Sequence, residues 1–191
     1  MKKQFFFMIS LSLLVTSGLE AKDSLGKQFF KNIHFGCDIN QNDDYRWRNV
    51  KFGTAFGGEF GSDEQASLKI GVEYNWSKYS IYSNNYALVI PNDILRTQSL
   101  SFPLVAEYKV YKSFFNGISL SGGPVYELIL NSQLNGNNFT HLNKNQFGWT
   151  AGARIRFLAI LSVRIGYVYY PTKLFDDNSL NRSALTLSIG F

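Results

Sequence analysis

Apolar and polar residues alternate with a period of two in eight separate stretches of the chain. That period marks strands whose two faces meet different surroundings. The last stretch is the plainest: Leu185, Leu187, Ile189 and Phe191 alternate with Ala184, Thr186, Ser188 and Gly190. Earlier, the apolar parity runs through Ile33 to Ile39, Val50 to Phe56, Leu68 to Trp76 and Leu100 to Tyr108. It continues through Ile118 to Leu130, Phe147 to Phe157 and Leu161 to Tyr169. After residue 21 no stretch holds a helical period over a dozen residues. The fold predicted is all-β: an eight-stranded antiparallel up-and-down transmembrane β-barrel, closed because lipid tolerates no free strand edge. Pro103 and Pro124 fall inside predicted strands, where prolines mark bulges or edges.

The predicted connections alternate in length. Residues 40–49, 77–98, 131–146 and 171–182 are longer and polar, whereas 61–67, 112–116 and 158–160 are short. Outer-membrane barrels have short periplasmic turns and longer outer loops. Parity by itself does not separate this fold from a soluble lipocalin-like barrel, whose apolar face points inward. Two further features favour lipid. The polar parity is mostly Gly, Ser, Thr and Ala, with fewer charges than a water-facing surface carries. Rings on the apolar parity also gather near predicted strand ends: Tyr74, Trp76, Phe147, Trp149, Tyr167 and Tyr169 at one rim, Tyr108, Phe157 and Phe191 at the other. Two interfacial belts of this kind are expected of a membrane barrel.

The amino terminus carries Lys2 and Lys3, then an apolar run from Phe5 to Val15, then Leu19-Glu20-Ala21 as a cleavage site. This is the layout of a secretory signal peptide. The expected organisation is therefore residues 1–21 as signal and 22–191 as one barrel domain, placed in a bacterial outer membrane. The formal charge of +5 is modest and its basic residues do not cluster, so nucleic acid is not an expected partner. A single cysteine, Cys37, excludes an intramolecular disulfide. The mean hydropathy of −0.11 suits a barrel in which half of each strand meets lipid.

Charged residues on the inward parity draw attention first. Glu59, Glu73, Glu107 and Glu127 share that face with Lys51, Lys69, Lys109, Arg154, Arg156 and Arg164. In a narrow lumen such groups lose water and must pair. An eight-stranded interior is just wide enough to be filled by side chains. A lumen salt-bridge network of Glu73, Glu107, Glu127, Arg154, Arg156 and Arg164 follows, with Glu107 and Glu127 expected to pair with Arg154 and Arg164. A gate or polar conduit is the other reading of the same residues.

Catalytic chemistry finds little support. His141 sits between Thr140 and Leu142 without a compact Ser-His-acid pattern, and His34 lies near one end of the first strand. Asp43-Asp44 and Asp176-Asp177 do not form a calcium loop. No catalytic residue, metal or cofactor is expected. Candidate contact residues lie instead in the predicted outer loops: Tyr45, Arg46, Trp47 and Arg48, with Tyr79, Tyr82, Tyr86 and His141. Aromatic residues and Arg are enriched at binding hot spots.

Three segments resemble the PorT-type outer-membrane β-barrel domain: S-F-P-L-V-A-E-Y-K-V from Ser101, G-G-P-V-Y-E-L-I-L from Gly122 and Q-F-G-W-T-A-G-A-R-I-R-F from Gln146. The likeness covers roughly residues 100–191. Ala106-Glu107-Tyr108 departs from the family's apolar-Lys-Tyr run, and Val125 intervenes before Tyr126. The resemblance implies an eight-strand barrel inserted by the barrel-assembly machinery, which commonly reads a terminal Phe such as Phe191. The expected function is a non-enzymatic integral outer-membrane protein, structural or binding an extracellular ligand through its loops. Its expected partners are outer-membrane lipid and that machinery. A small channel and a soluble periplasmic carrier remain as alternatives.

Overall fold

A computed structural model describes residues 32–60, 65–82, 89–112, 116–157, 161–176 and 180–190. The predicted export segment 1–21, Tyr86 and Phe191 lie outside them. The regular elements of the described chain are all strands: β1 (His34–Gln41), β2 (Tyr45–Phe60), β3 (Ala66–Ile81), β4 (Ile94–Lys112), β5 (Asn116–Leu134), β6 (Asn137–Asn138), β7 (Asn145–Phe157), β8 (Leu161–Tyr170) and β9 (Arg182–Gly190). Strands β1 to β5 pair antiparallel in sequence order, β5 pairs with β7, β7 with β8, β8 with β9 and β9 with β1, so eight strands close into a barrel. The two-residue β6 only extends the β5 hairpin. Its turn, Asn135-Gly136, has positive φ at both residues (51° and 91°). Asn and Gly suit that backbone best, and it favours a tight hairpin.

The polarity of the wall follows the parity read from the sequence. Leu185 is 67% exposed and Ile165 58%, while Ala184, Thr186 and Val168 on the opposite parity are buried. The rings of Trp76, Phe147, Trp149, Tyr167 and Tyr169 stand outward toward one rim, those of Tyr108 and Phe157 toward the other. A wall that is oily outside and small or polar inside is inverted relative to a water-soluble barrel.

Both prolines interrupt the ladder. The β3–β4 pairing skips Pro103, and the β4–β5 pairing resumes only after Pro124. The register shifts sit elsewhere, at Gln98/Ser99 and Lys109/Tyr111. Gly71 faces Pro103, and a Cβ there would fall 2.8 Å from the proline Cγ.

The connections differ from the sequence reading at one end. Residues 40–49 are not a loop. The β1–β2 link is only Asn42 to Asp44, closed where the Tyr45 amide donates to Asn42 Oδ1 at 2.8 Å. Strands β3, β4 and β5 likewise extend into the predicted loops 77–98 and 131–146. The barrel thus has a loop end, carrying the links after β1, β3, β5 and β8, and an opposite turn end. The strands are of two lengths: 16 to 19 residues in β2–β5, but 8 to 13 in the other four wall strands. At ~3.3 Å per residue and a tilt of ~40°, 9 or 10 residues rise roughly 25 Å and 19 rise nearly 50 Å. Strands β2–β5 therefore overshoot a hydrocarbon layer of about 30 Å.

Candidate functional site

The interior divides into two storeys. Toward the turn end it is ionic. Glu107 on β4 accepts from Lys69 Nζ on β3 and forms a pair with Arg154 Nη1 on β7, both at 3.1 Å, and takes the Ser119 hydroxyl at 2.6 Å. Asp38 takes Lys51 Nζ and Asn49 Nδ2, each at 2.7 Å. Glu73 meets His34 Nε2 at 2.9 Å and accepts from Ser101 Oγ at 3.2 Å. At the rim, Lys109 pairs with Glu59 at 2.8 Å. Small inward residues make room for these long side chains. Gly152 faces Gly166 across β7 and β8, and a Cβ on Gly152 would fall 2.5 Å from the Ile165 carbonyl oxygen.

Toward the loop end the interior is aromatic. Trp47 stacks on Tyr79 with centroids 5.6 Å apart and meets Tyr170 edge-on at 6.3 Å. Arg182, fully buried, lies 4.1 Å from the Tyr170 ring and 5.2 Å from that of Trp47. Its guanidinium donates to Glu127 at 2.7 Å, to the Tyr79 hydroxyl at 2.8 Å and to Gln146 Oε1 at 3.3 Å. Glu127 also accepts from Ser99. Leu142, Leu174, Phe175 and Leu180, from the links before β7 and β9, close over this cluster. Backbone bonds between those links, Asn143 to Leu174 at 2.9 Å among them, hold the cover in place.

Several expectations are corrected by these positions. Glu127 pairs with Arg182, not with Arg154 or Arg164. The reason is height: Gln146 lies opposite Glu127 in the sheet, and Arg154 is eight positions further down β7, roughly 25 Å at ~3.3 Å per residue. Arg164 donates to Thr150 Oγ1 at 3.4 Å and stands in register with Arg154. Arg156 is exposed near the turn end. Tyr45, Trp47 and Tyr79 are not loop contacts but interior residues, buried to 3% or less. Arg46 and Arg48 lie on β2 facing outward, and Tyr82 and His141 are exposed at the loop end.

Arg182, Asp38 and Gln146 were not singled out from the sequence. A signal for Arg182 existed, because it shares the inward parity of Ala184, Thr186 and Ser188. Chemically, the interior binds strands together. Around Glu73 the carboxylate lies between imidazole and hydroxyl, whereas a nucleophilic site needs the base in the middle. Among the described residues no hydroxyl or thiol hydrogen-bonds a histidine ring, and no group of three His, Cys, Asp or Glu side chains gathers to hold a metal.

No protein-family model and no curated protein matches this chain. Among solved structures, the barrel is similar to that of the outer membrane enzyme PagL, with 12% identity and a TM-score of 0.54 over 84% of this chain and 99% of that one. The NanC porin matches at 8% identity and a TM-score of 0.38, over 83% of this chain and 98% of its own. Ail, the attachment invasion locus protein of Yersinia pestis, matches at 10% and 0.38, over 83% and 92%. The likeness to PagL is one of fold: a small closed barrel of the outer-membrane type.

Proposed function

We propose that this chain is a non-enzymatic integral protein of a bacterial outer membrane, exported by the signal at residues 1–21. It would serve as a rigid scaffold that presents its loop end to the exterior. The observation that carries this reading is an apolar outward belt around an interior that, among the described residues, is lined with paired charges and stacked rings. A soluble carrier would need the opposite arrangement and a cavity. The filled loop end argues against a steady aqueous pore. Kinship with PorT-type barrels rests on the three segments beginning at Ser101, Gly122 and Gln146.

Fractionation and planar-bilayer recording test the reading together. The chain is expected in the detergent-extracted outer-membrane fraction, without steady conductance after reconstitution. Recovery in the soluble fraction would overturn the membrane placement, and a stable nanosiemens conductance the filled interior. Incubation with lipopolysaccharide followed by mass spectrometry supplies the third arm. Unchanged lipid is expected, and loss of an acyl chain would refute the non-enzymatic assignment.

A further inference from the structure

On β2–β5 the outward face changes character over one pair of positions. Val50 and Trp76, in register, are exposed apolar residues at the top of the belt. One step toward the loop end stand Arg48 and Lys78, also in register, followed by Arg96 opposite Lys78 and Gln133 opposite Arg96. Like charges facing each other across a sheet repel. Among the described residues none of the three cations forms an ion pair. Between the belt and the loop end, the outward positions of these strands hold Arg46, Arg48, Lys78 and Arg96 and no carboxylate. An ordinary solvated face would mix both signs.

Shape supports the same conclusion. Arg48, Lys78 and Arg96 line an open groove of about 350 Å³ whose lining continues onto Val50 and Trp76. Trp76 is held edge-on against Tyr74, with centroids 4.5 Å apart. The row also climbs around the wall. His34, at the turn end of β1, is linked through Gly53, Glu73, Ser101 and Glu127 to Gln146, at the loop end of β7. Arg48 therefore sits lowest and Arg96 highest, spreading the positive charge through the depth of a headgroup layer.

We propose that this groove binds the phosphorylated headgroup of an outer-leaflet glycolipid, with the acyl chains running down over Trp76 and Val50. Guanidinium and ammonium donors meet phosphate oxygens with charge-assisted hydrogen bonds. The proposal rests on the membrane reading above.

The test uses the full chain in phosphatidylcholine nanodiscs doped with bisphosphorylated lipid A or its dephosphorylated form, with retained lipid counted by native mass spectrometry. The wild type is expected to retain the phosphorylated form about tenfold better, a difference that a few added polar contacts supply. The triple variant Arg48→Gln, Lys78→Gln, Arg96→Gln is expected to insert normally and lose that preference. Equal retention of both lipids by the wild type, or an undiminished preference in the variant, would overturn the proposal. So would complete displacement of lipid A by millimolar inorganic phosphate. Failure of the wild type to enter nanodiscs would instead refute the membrane reading itself.

Discussion

Arg182 is wholly buried, and its guanidinium is held by one carboxylate, one phenol, one amide and two ring faces. A buried ion of this kind tolerates no missing partner. Removing one member of such a pair costs about 3–5 kcal/mol, because the other charge stays behind. Arg182→Met is therefore expected to lower the urea midpoint of unfolding in lipid vesicles markedly, and Glu127→Gln likewise. The double variant should be more stable than either single one. Additive losses in the double variant would show that the two side chains act independently. At this scale the sequence was half legible. The inward charges could be enumerated from parity, and Glu107 with Arg154 could be named. Partner choice, however, depends on height along the barrel, and height depends on register. Glu127 lies near the loop end and Arg154 near the turn end, and nothing local to either residue says so.

Within the strands, the amphipathic sense reverses. Below Val50 the outward parity of β2 carries Phe52, Phe56 and Phe60, with Thr54 the polar exception, and the inward parity carries Lys51, Gly53, Ala55, Gly57 and Glu59. Above it Arg46 and Arg48 face out while Tyr45 and Trp47 face in. Tyr79 and Ile81 against Lys78 and Ser80 repeat the reversal on β3. Each half has the pattern that the proposed membrane placement demands, hydrocarbon below and water above. The period of two is unbroken across the junction. A reading keyed to apolar-out strands stops at the junction, which is why residues 40–49 look like a loop in the sequence. Substitutions should respect the same boundary. Leu187→Arg, in the belt, is expected to destabilise the barrel by about 2–4 kcal/mol, as charges near the bilayer midplane do. Arg48→Gln, beyond the belt, should shift stability by less than ~0.5 kcal/mol. Urea titration of both variants in vesicles checks the contrast, and equal losses would contradict the placement of the boundary. Gly152 adds a steric test. Gly152→Val would drive a side chain into the β8 backbone at Ile165 and Gly166. A loss of the compact-form mobility in unheated detergent gel electrophoresis is expected.

For the whole molecule, the fold and the direction of its faces were readable because, within the belt, every wall strand repeats the same binary pattern. The two-storey interior was not. It needs Trp47, Tyr79, Tyr170 and Arg182, from four strands and more than a hundred residues of sequence, to meet at one level. Collisional quenching by lipids brominated along their acyl chains reports this architecture directly. In single-tryptophan versions, Trp149 is expected to be quenched strongly and Trp47 hardly at all. Comparable quenching of both would mean that Trp47 reaches hydrocarbon.

The ring-and-guanidinium cluster also has a temporal consequence. Its cation arrives on the final strand, whereas its carboxylate waits on β5. Until β9 docks beside β8, Glu127 lacks the cation that pairs with it among the described residues, so the upper chamber stays wet. Docking of β9 therefore couples completion of the wall to drying of the lumen, because the strand that fills the last place also carries the counter-charge.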